Sequence, residues 1–194
     1  MNRPAQVIVG AKLPLRPMHV WAIRVRLQIE RRFRDLALFD IALDSKLRGC
    51  DVVALRLPDV LAAGVLRRRA IIIQQKTGRP VQFEITEQTR RSLAEWLKVR
   101  RGEPNGWLFP SRMIQGAHVS TRQYIRLLKR WITLIGLEPA EYGTHSLRRD
   151  TNNGALQDAT DPGLAFWIID LSANLTPEQL AQTVRLRLLP GHRG

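Results

Sequence analysis

Leu66-Arg-Arg-Arg-Ala-Ile-Ile-Ile-Gln-Gln-Lys76-Thr-Gly-Arg-Pro-Val-Gln-Phe-Glu-Ile85 is where a chain of helical patterns turns to β structure. Three consecutive isoleucines, Ile71 to Ile73, suit a pleated strand better than a helix. Thr77-Gly78, between Lys76 and Arg79, reads as a tight hairpin turn, because glycine readily supplies the positive φ such turns need. The spacing predicts a strand over 66–75 and a partner over 79–85. A short strand at Val60–Leu61 completes a small antiparallel sheet of three.

Helical signals surround that sheet. From Met18 to Leu43 two helical stretches fit, with Trp21, Ile23 and Leu27 and then Leu36, Phe39, Ile41 and Leu43 on apolar faces. Asp44 or Ser45 is placed to cap a short helix through 50–55, and Thr86 to cap a helix reaching about Arg101. Gly102 and Pro104 end that helix, and Trp107-Leu-Phe-Pro110 reads as a buried connector. Residues 120–135 form the best amphipathic helix. Tyr124, Leu127, Leu128, Trp131, Leu134 and Ile135 make its apolar stripe, opposite Arg122, Arg126, Lys129 and Arg130. A further short helix starts near His145. The fold class expected is mixed α/β (α+β), mainly helical with a small three-stranded antiparallel sheet.

The 194 residues carry a formal charge of +14 and are 44% apolar. That length can bury one good core, and the apolar share argues against wholesale disorder. The charge points to a polyanionic partner, nucleic acid first and an anionic membrane second. Cys50 is the only cysteine, which excludes an internal disulfide framework and a cysteine-rich zinc site. No apolar run approaches the roughly 20 residues that span a bilayer, and no signal peptide is visible. The expectation is a cytoplasmic, DNA-associated protein without a membrane segment.

Charge is unevenly spread. Residues 1–149 hold 28 Lys+Arg against 12 Asp+Glu, and residues 150–194 hold 3 against 5. That shift divides the chain into an irregular segment at 1–15, where Pro4 and Pro14 discourage a helix, a basic core at 16–149 and a divergent tail at 150–194.

Arg48, Lys76, His145 and Arg148 follow one another in an order suited to gripping one phosphate. Transesterification of a phosphodiester needs the non-bridging oxygens neutralised, a nucleophile deprotonated and the departing 5′ oxygen protonated. Arginine's planar fork donates two parallel hydrogen bonds to phosphate oxygens. Histidine can donate a hydrogen bond to the phosphate or assist proton transfer. A lysine on a mobile hairpin can reach the leaving oxygen as general acid if its pKa is lowered in the site. Taken singly, Arg48 reads equally as a surface arginine at a helix start, Lys76 as a solvated turn residue and His145 as a satisfied histidine. Their order and contexts together carry the argument.

Leu47-Arg48-Gly49-Cys50-Asp51, followed by Leu55-Arg-Leu-Pro-Asp59, resembles the first arginine motif of the tyrosine recombinase (phage integrase) family. Gln75-Lys76-Thr77-Gly78-Arg79-Pro80 is similar to that family's hairpin lysine, and Thr144-His145-Ser146-Leu147-Arg148-Arg149 to its HxxR motif. Trp107-Leu-Phe-Pro-Ser111 looks like its connector between helices. The resemblance covers roughly residues 15–149. It implies that Arg48, Lys76, His145 and Arg148 surround the scissile phosphate, with Asp51 orienting Arg48. It implies DNA strand cleavage and rejoining through a covalent 3′-phosphotyrosyl intermediate, with double-stranded DNA as partner and no metal or nucleotide cofactor. Clustering makes Arg67, Arg68, Arg69, Arg122, Arg126, Lys129 and Arg130 candidates for backbone phosphates, contacts that add affinity without reading sequence.

In that family a second histidine or tryptophan and then the nucleophilic tyrosine follow the HxxR helix. Here the only tyrosines are Tyr124 and Tyr142, both upstream of it. Tyr124 belongs to an apolar stripe, and Tyr142 sits too near His145 to approach the phosphate His145 contacts. Leu188-Leu-Pro-Gly-His192 is similar to the second histidine motif but carries Pro190, so His192 is the one candidate for that role. The expectation is that the tail replaces the usual C-terminal segment through a frameshift, a rearrangement or gene decay. The alternative is a divergent but purposeful domain. Residues 1–15 are too few for the helical domain with which full-length members clamp DNA.

The expected function is therefore a tyrosine-recombinase-type DNA-binding domain for integration and site-specific recombination, inactive alone for want of a nucleophile. It would act as an oligomer on DNA or with an intact recombinase. The competing readings are a non-catalytic DNA-binding module or regulator, and a basic structural protein whose motif matches are accidental.

Overall fold

The computed structural model describes residues 12–103 and 105–148. The expectations about residues 1–11, Pro104, Arg149, the tail at 150–194 and His192 lie outside the described residues. Helices α1 (Pro17–Ile29), α2 (Phe33–Ser45), α3 (Gly49–Val53) and α4 (Leu57–Val60) come first. Strands β1 (Leu61–Ala62), β2 (Val65–Leu66), β3 (Arg69–Ile73) and β4 (Pro80–Glu84) follow, then α5 (Glu87–Val99) and α6 (Thr121–Leu134). Two 3-10 turns, Pro139–Glu141 and Thr144–Leu147, close the described part. The expected class, mainly helical with small antiparallel strands, is what is found.

α2 is the centre of the core. Every residue from Asp35 to Leu43 is buried, the mark of a helix enclosed on all sides. α5 runs back along it: Thr86, the cap of α5, donates its N–H (2.8 Å) and its hydroxyl (2.9 Å) to Asp44 near the end of α2. Phe39 of α2 meets Trp131 of α6 edge to face, with ring centroids 5.5 Å apart. Two carboxylates in the core helix are answered by arginines: Asp40 by Arg24 at 2.7 Å, and Asp35 by Arg32 and Arg34 at 2.5 and 3.0 Å.

Asp44 is thus a tie to α5 and not the cap of α3. α2 continues through Ser45, and Lys46 ends it in the left-handed region at φ 51°. Arg48 is the extended residue that opens α3. The cap expected at Thr86 is present, its hydroxyl accepting from the Thr89 N–H at 3.3 Å. Ser120 caps α6 in the same way, from Gln123 N–H at 3.1 Å. Ser120→Ala is expected to cost about 1 kcal/mol of stability, read from urea denaturation with unchanged slope.

The strands form two separate two-stranded ladders instead of one sheet of three. β1 closes on β2, Leu61 opposite Leu66, around Ala63-Gly64, where φ is +47° and +78°. Two positive φ values in succession match the twist of a hairpin, so the tight turn lies here and not at Thr77-Gly78. With β1 occupied by β2, β3 is left to pair with β4 alone, Arg69 opposite Glu84 through Ile73 opposite Pro80. Residues 74–79 form a six-residue loop, closed by Gln74 N–H on Arg79 O (3.0 Å) and Gly78 N–H on Gln74 O (2.9 Å). Gly78 holds φ +64° there, a conformation costly for any residue with a Cβ.

The connector at 107–110 is fixed by backbone. Leu108 N–H donates to Leu55 O at 2.7 Å and Leu57 N–H to Gly106 O at 3.0 Å, with Leu108 and Phe109 wholly buried. Among the described residues no helix is long and apolar enough to cross a membrane.

Candidate functional site

Three stretches far apart in sequence meet at the start of α3. The first is 46–51. Arg48, half-buried, donates Nη1 to the side-chain oxygen of Gln74 at 3.1 Å. That oxygen also accepts from the Thr77 hydroxyl at 2.9 Å. Gln74 therefore couples Arg48 to the loop that presents Lys76. One turn on, buried Asp51 accepts from the Gln75 N–H at 3.0 Å through Oδ1. Its Oδ2 is also buried and has no hydrogen-bond partner among the described residues. Asp51 thus anchors the base of the loop, and Arg48 bonds Gln74.

The second stretch is the 74–79 loop, whose Lys76 is exposed. The third is the turn Thr144–Leu147. Ser146 and Leu147 are buried, and the Ser146 hydroxyl accepts from Gly143 N–H at 3.0 Å. His145 is left on the exposed side. Arg148 follows, half-buried, donating Nε to the carbonyl of Lys46 at 2.8 Å across 102 residues of sequence. Gly49 explains the closeness: a Cβ there would lie 3.3 Å from the Tyr124 ring and 3.4 Å from the Thr144 methyl. Glycine lets α3 begin directly against the HxxR turn and α6.

Short bonds thus tie the start of α3 to the loop that carries Lys76 and to Arg148, three residues after His145. The Arg48 and Arg148 guanidinium groups are held by an amide oxygen and a backbone carbonyl, with no carboxylate bonded to either among the described residues. Among the described residues no group of three or more His, Cys, Asp or Glu side chains could hold a metal ion.

The outlying candidates stand elsewhere on the surface. Arg67, Arg68 and Arg69 are exposed at the β2–β3 link, and Arg122, Arg126, Lys129 and Arg130 on the outer face of α6. Both tyrosines are buried. Tyr124 is 1% exposed, edge-on to Trp131, and burial pushes its phenol well above the ordinary value near 10. Tyr142 is also buried, and its phenol is pushed up by burial and then by neighbouring Glu141. Sequence reasoning missed Gln74. The only signal available was a polar pair, Gln74-Gln75, breaking an Ile-rich strand just before the lysine.

Residues 25–157 match the phage integrase family. The chain belongs to that family. Solved structures share the integrase-family fold. The XerA recombinase aligns with a TM-score of 0.60 at 14% identity, over 83% of this chain and 54% of that one. The XerH site-specific recombinase in a pre-cleavage complex with difH substrate gives 0.57 at 18% identity, over 92% and 52%. Its post-cleavage complex with palindromic difH substrate gives 0.55 at 18%, over 94% and 52%. This integrase-family chain spans about half the length of those recombinases. No curated protein matches the sequence.

Proposed function

We propose that this integrase-family chain binds double-stranded DNA and cradles one backbone phosphate between Arg48, Lys76, His145 and Arg148. The observation that carries the reading is the pair of bonds drawing three distant stretches together, Arg48 to Gln74 and Arg148 to the Lys46 carbonyl. The charge of +14 supports a polyanionic partner, and the XerH structures of the same fold were solved on DNA substrates. In the cradle Arg48 and Arg148 neutralise the non-bridging oxygens and His145 donates to the phosphate. Lys76 is the general acid for the departing oxygen. The exposed arginines of the β2–β3 link and of α6 hold flanking phosphates. Residues 16–149 act as the recombinase core and 150–194 as a divergent appendage.

Strand cleavage also needs a nucleophile, and the 194 residues offer only two tyrosines. Tyr124 is enclosed in the core, and a phenol that holds its proton so firmly attacks poorly. The chain by itself therefore grips DNA without breaking it. Recombination takes place when an intact recombinase supplies the tyrosine. The buried Tyr124 equally supports a module or regulator that never takes part in cleavage. A nicked suicide substrate separates these roles from self-contained catalysis. Reversible complexes alone are expected on denaturing gels, and a covalent adduct formed by this chain would overturn the proposal.

The Gln74 bridge gives a further expectation. Gln74→Ala removes the acceptor shared by Arg48 and Thr77, at about 0.5–1.5 kcal/mol for hydrogen bonds of this kind. DNA binding should weaken roughly 2- to 12-fold with the salt slope unchanged, since no cation is lost. Fluorescence anisotropy on a duplex at several salt concentrations measures both.

A further inference from the structure

A second cationic site lies at the other end of α2. Arg31, Arg32, Arg34 and Arg112 line a cavity of about 240 Å³ together with Asp35 and Trp96, where the start of α2 meets the end of α5. α2 has 13 residues, and at 1.5 Å per residue this places the cavity roughly 20 Å from the cradle beyond the helix's far end.

The charges there do not balance. Among the described residues Asp35 is the one carboxylate of the lining, and it is engaged by Arg32 and by Arg34. Arg31 and Arg112 are exposed and have no acidic partner among the described residues. Among the described residues Arg32 Nη1 is buried without a hydrogen-bond partner, and a carboxylate oxygen of Glu30 stands off at 3.6 Å. A buried guanidinium N–H with no acceptor is costly and rare. Arg31 also holds a left-handed φ of 51° at the rim, backbone strain of a kind that gathers at ligand sites. The volume is several times the roughly 30 Å³ a water occupies, room for a tetrahedral anion with part of its ester.

We propose that this cavity is a second phosphate-binding site, separate from the cradle, holding a phosphate group against Arg31, Arg32 and Arg112. The proposal does not depend on the cradle. The phosphate comes from the DNA backbone or from a free phosphate, and the test has an arm for each. The full chain is titrated with inorganic phosphate, and with sodium chloride at matched ionic strength, while ¹H–¹⁵N spectra are recorded. Signals of Arg32 to Asp35 and of the Trp96 indole are expected to shift saturably with phosphate in the native chain and not in Arg31→Ser/Arg112→Ser. In parallel, duplex DNA is titrated at several salt concentrations. If DNA supplies the group, the slope of log affinity on log salt falls by about 1 in the double variant. Arg48→Ala serves as the background in which the same drop must persist. Loss of the spectral response with an unchanged slope assigns the site to a free phosphate. Phosphate shifts no larger than those of chloride, together with an unchanged slope, overturn the proposal. Both replaced residues are on the surface, and an unaltered unfolding midpoint confirms that the variant is folded.

Discussion

Asp40→Ala is expected to cost the fold about 3–5 kcal/mol, because it strands Arg24 inside the core without its counter-charge. Asp40 is wholly buried in the middle of α2, and the Arg24 side chain that meets it at 2.7 Å is only 15% exposed. Removing both charges is tolerable, but removing one is not. Asp40→Asn keeps an oxygen for Arg24 but removes the same charge, so most of the loss should remain. The pH dependence carries a sign of its own. Burial raises the Asp40 carboxyl above its ordinary value, partly opposed by Arg24. The folded state therefore holds that proton more tightly than the unfolded chain does. The stability so contributed is complete below the unfolded value near 3.9 and is lost as pH rises through the folded value. Urea denaturation of the native chain and both variants across pH 4–8 checks this. Losses near zero for both variants would show that the Asp40–Arg24 charge pair is immaterial.

Arg148→Ala is expected to weaken duplex binding by about 1.5–3 kcal/mol, some 10- to 150-fold at fixed salt. Two roles of one side chain explain the size. Nε is committed to the Lys46 carbonyl, which sets the plane of the guanidinium, and the remaining N–H groups, without a hydrogen-bond partner among the described residues, can serve a phosphate. Arg148→Lys should recover little, since an ammonium cannot hold the carbonyl and present a planar fork together. Arg67→Ala, at an exposed position whose side chain bonds the Leu61 carbonyl, should lower the salt slope by about 1 with a smaller loss. Equal losses at positions 148 and 67 would reduce Arg148 to another surface charge.

Helix boundaries were legible where local chemistry sets them. Thr86 caps α5, and the stripe of Tyr124, Leu127, Leu128 and Trp131 is buried in α6 as its period requires. The family was legible because its motifs are short local patterns, around Arg48, Lys76 and His145–Arg148, that can be read without knowing the fold. What resisted reading depends on pairing at a distance. Thr77-Gly78 has the composition of a tight turn, yet Gln74 and Arg79 close a wider loop around it, and the tight turn fell to Ala63-Gly64. Asp44 has the look of a cap, but its carboxylate serves Thr86, 42 residues away. Gln74 could not be singled out because its meaning lies in the Arg48 fork, and glutamines on strands are ordinary. The cavity at the start of α2 was hidden for a similar reason: Arg112 joins Arg31 to Arg34 only in three dimensions.

The most direct test of the phosphate cradle is a double-mutant cycle for DNA affinity at constant salt, pairing Arg48→Ala with Arg148→Ala. Two forks on one phosphate must be coupled, so the double variant should lose less than the sum of the single losses, by about 1 kcal/mol or more. Arg48→Ala paired with Arg67→Ala should be additive. Strict additivity between Arg48 and Arg148 would mean that the two arginines serve separate phosphates, and would contradict the cradle.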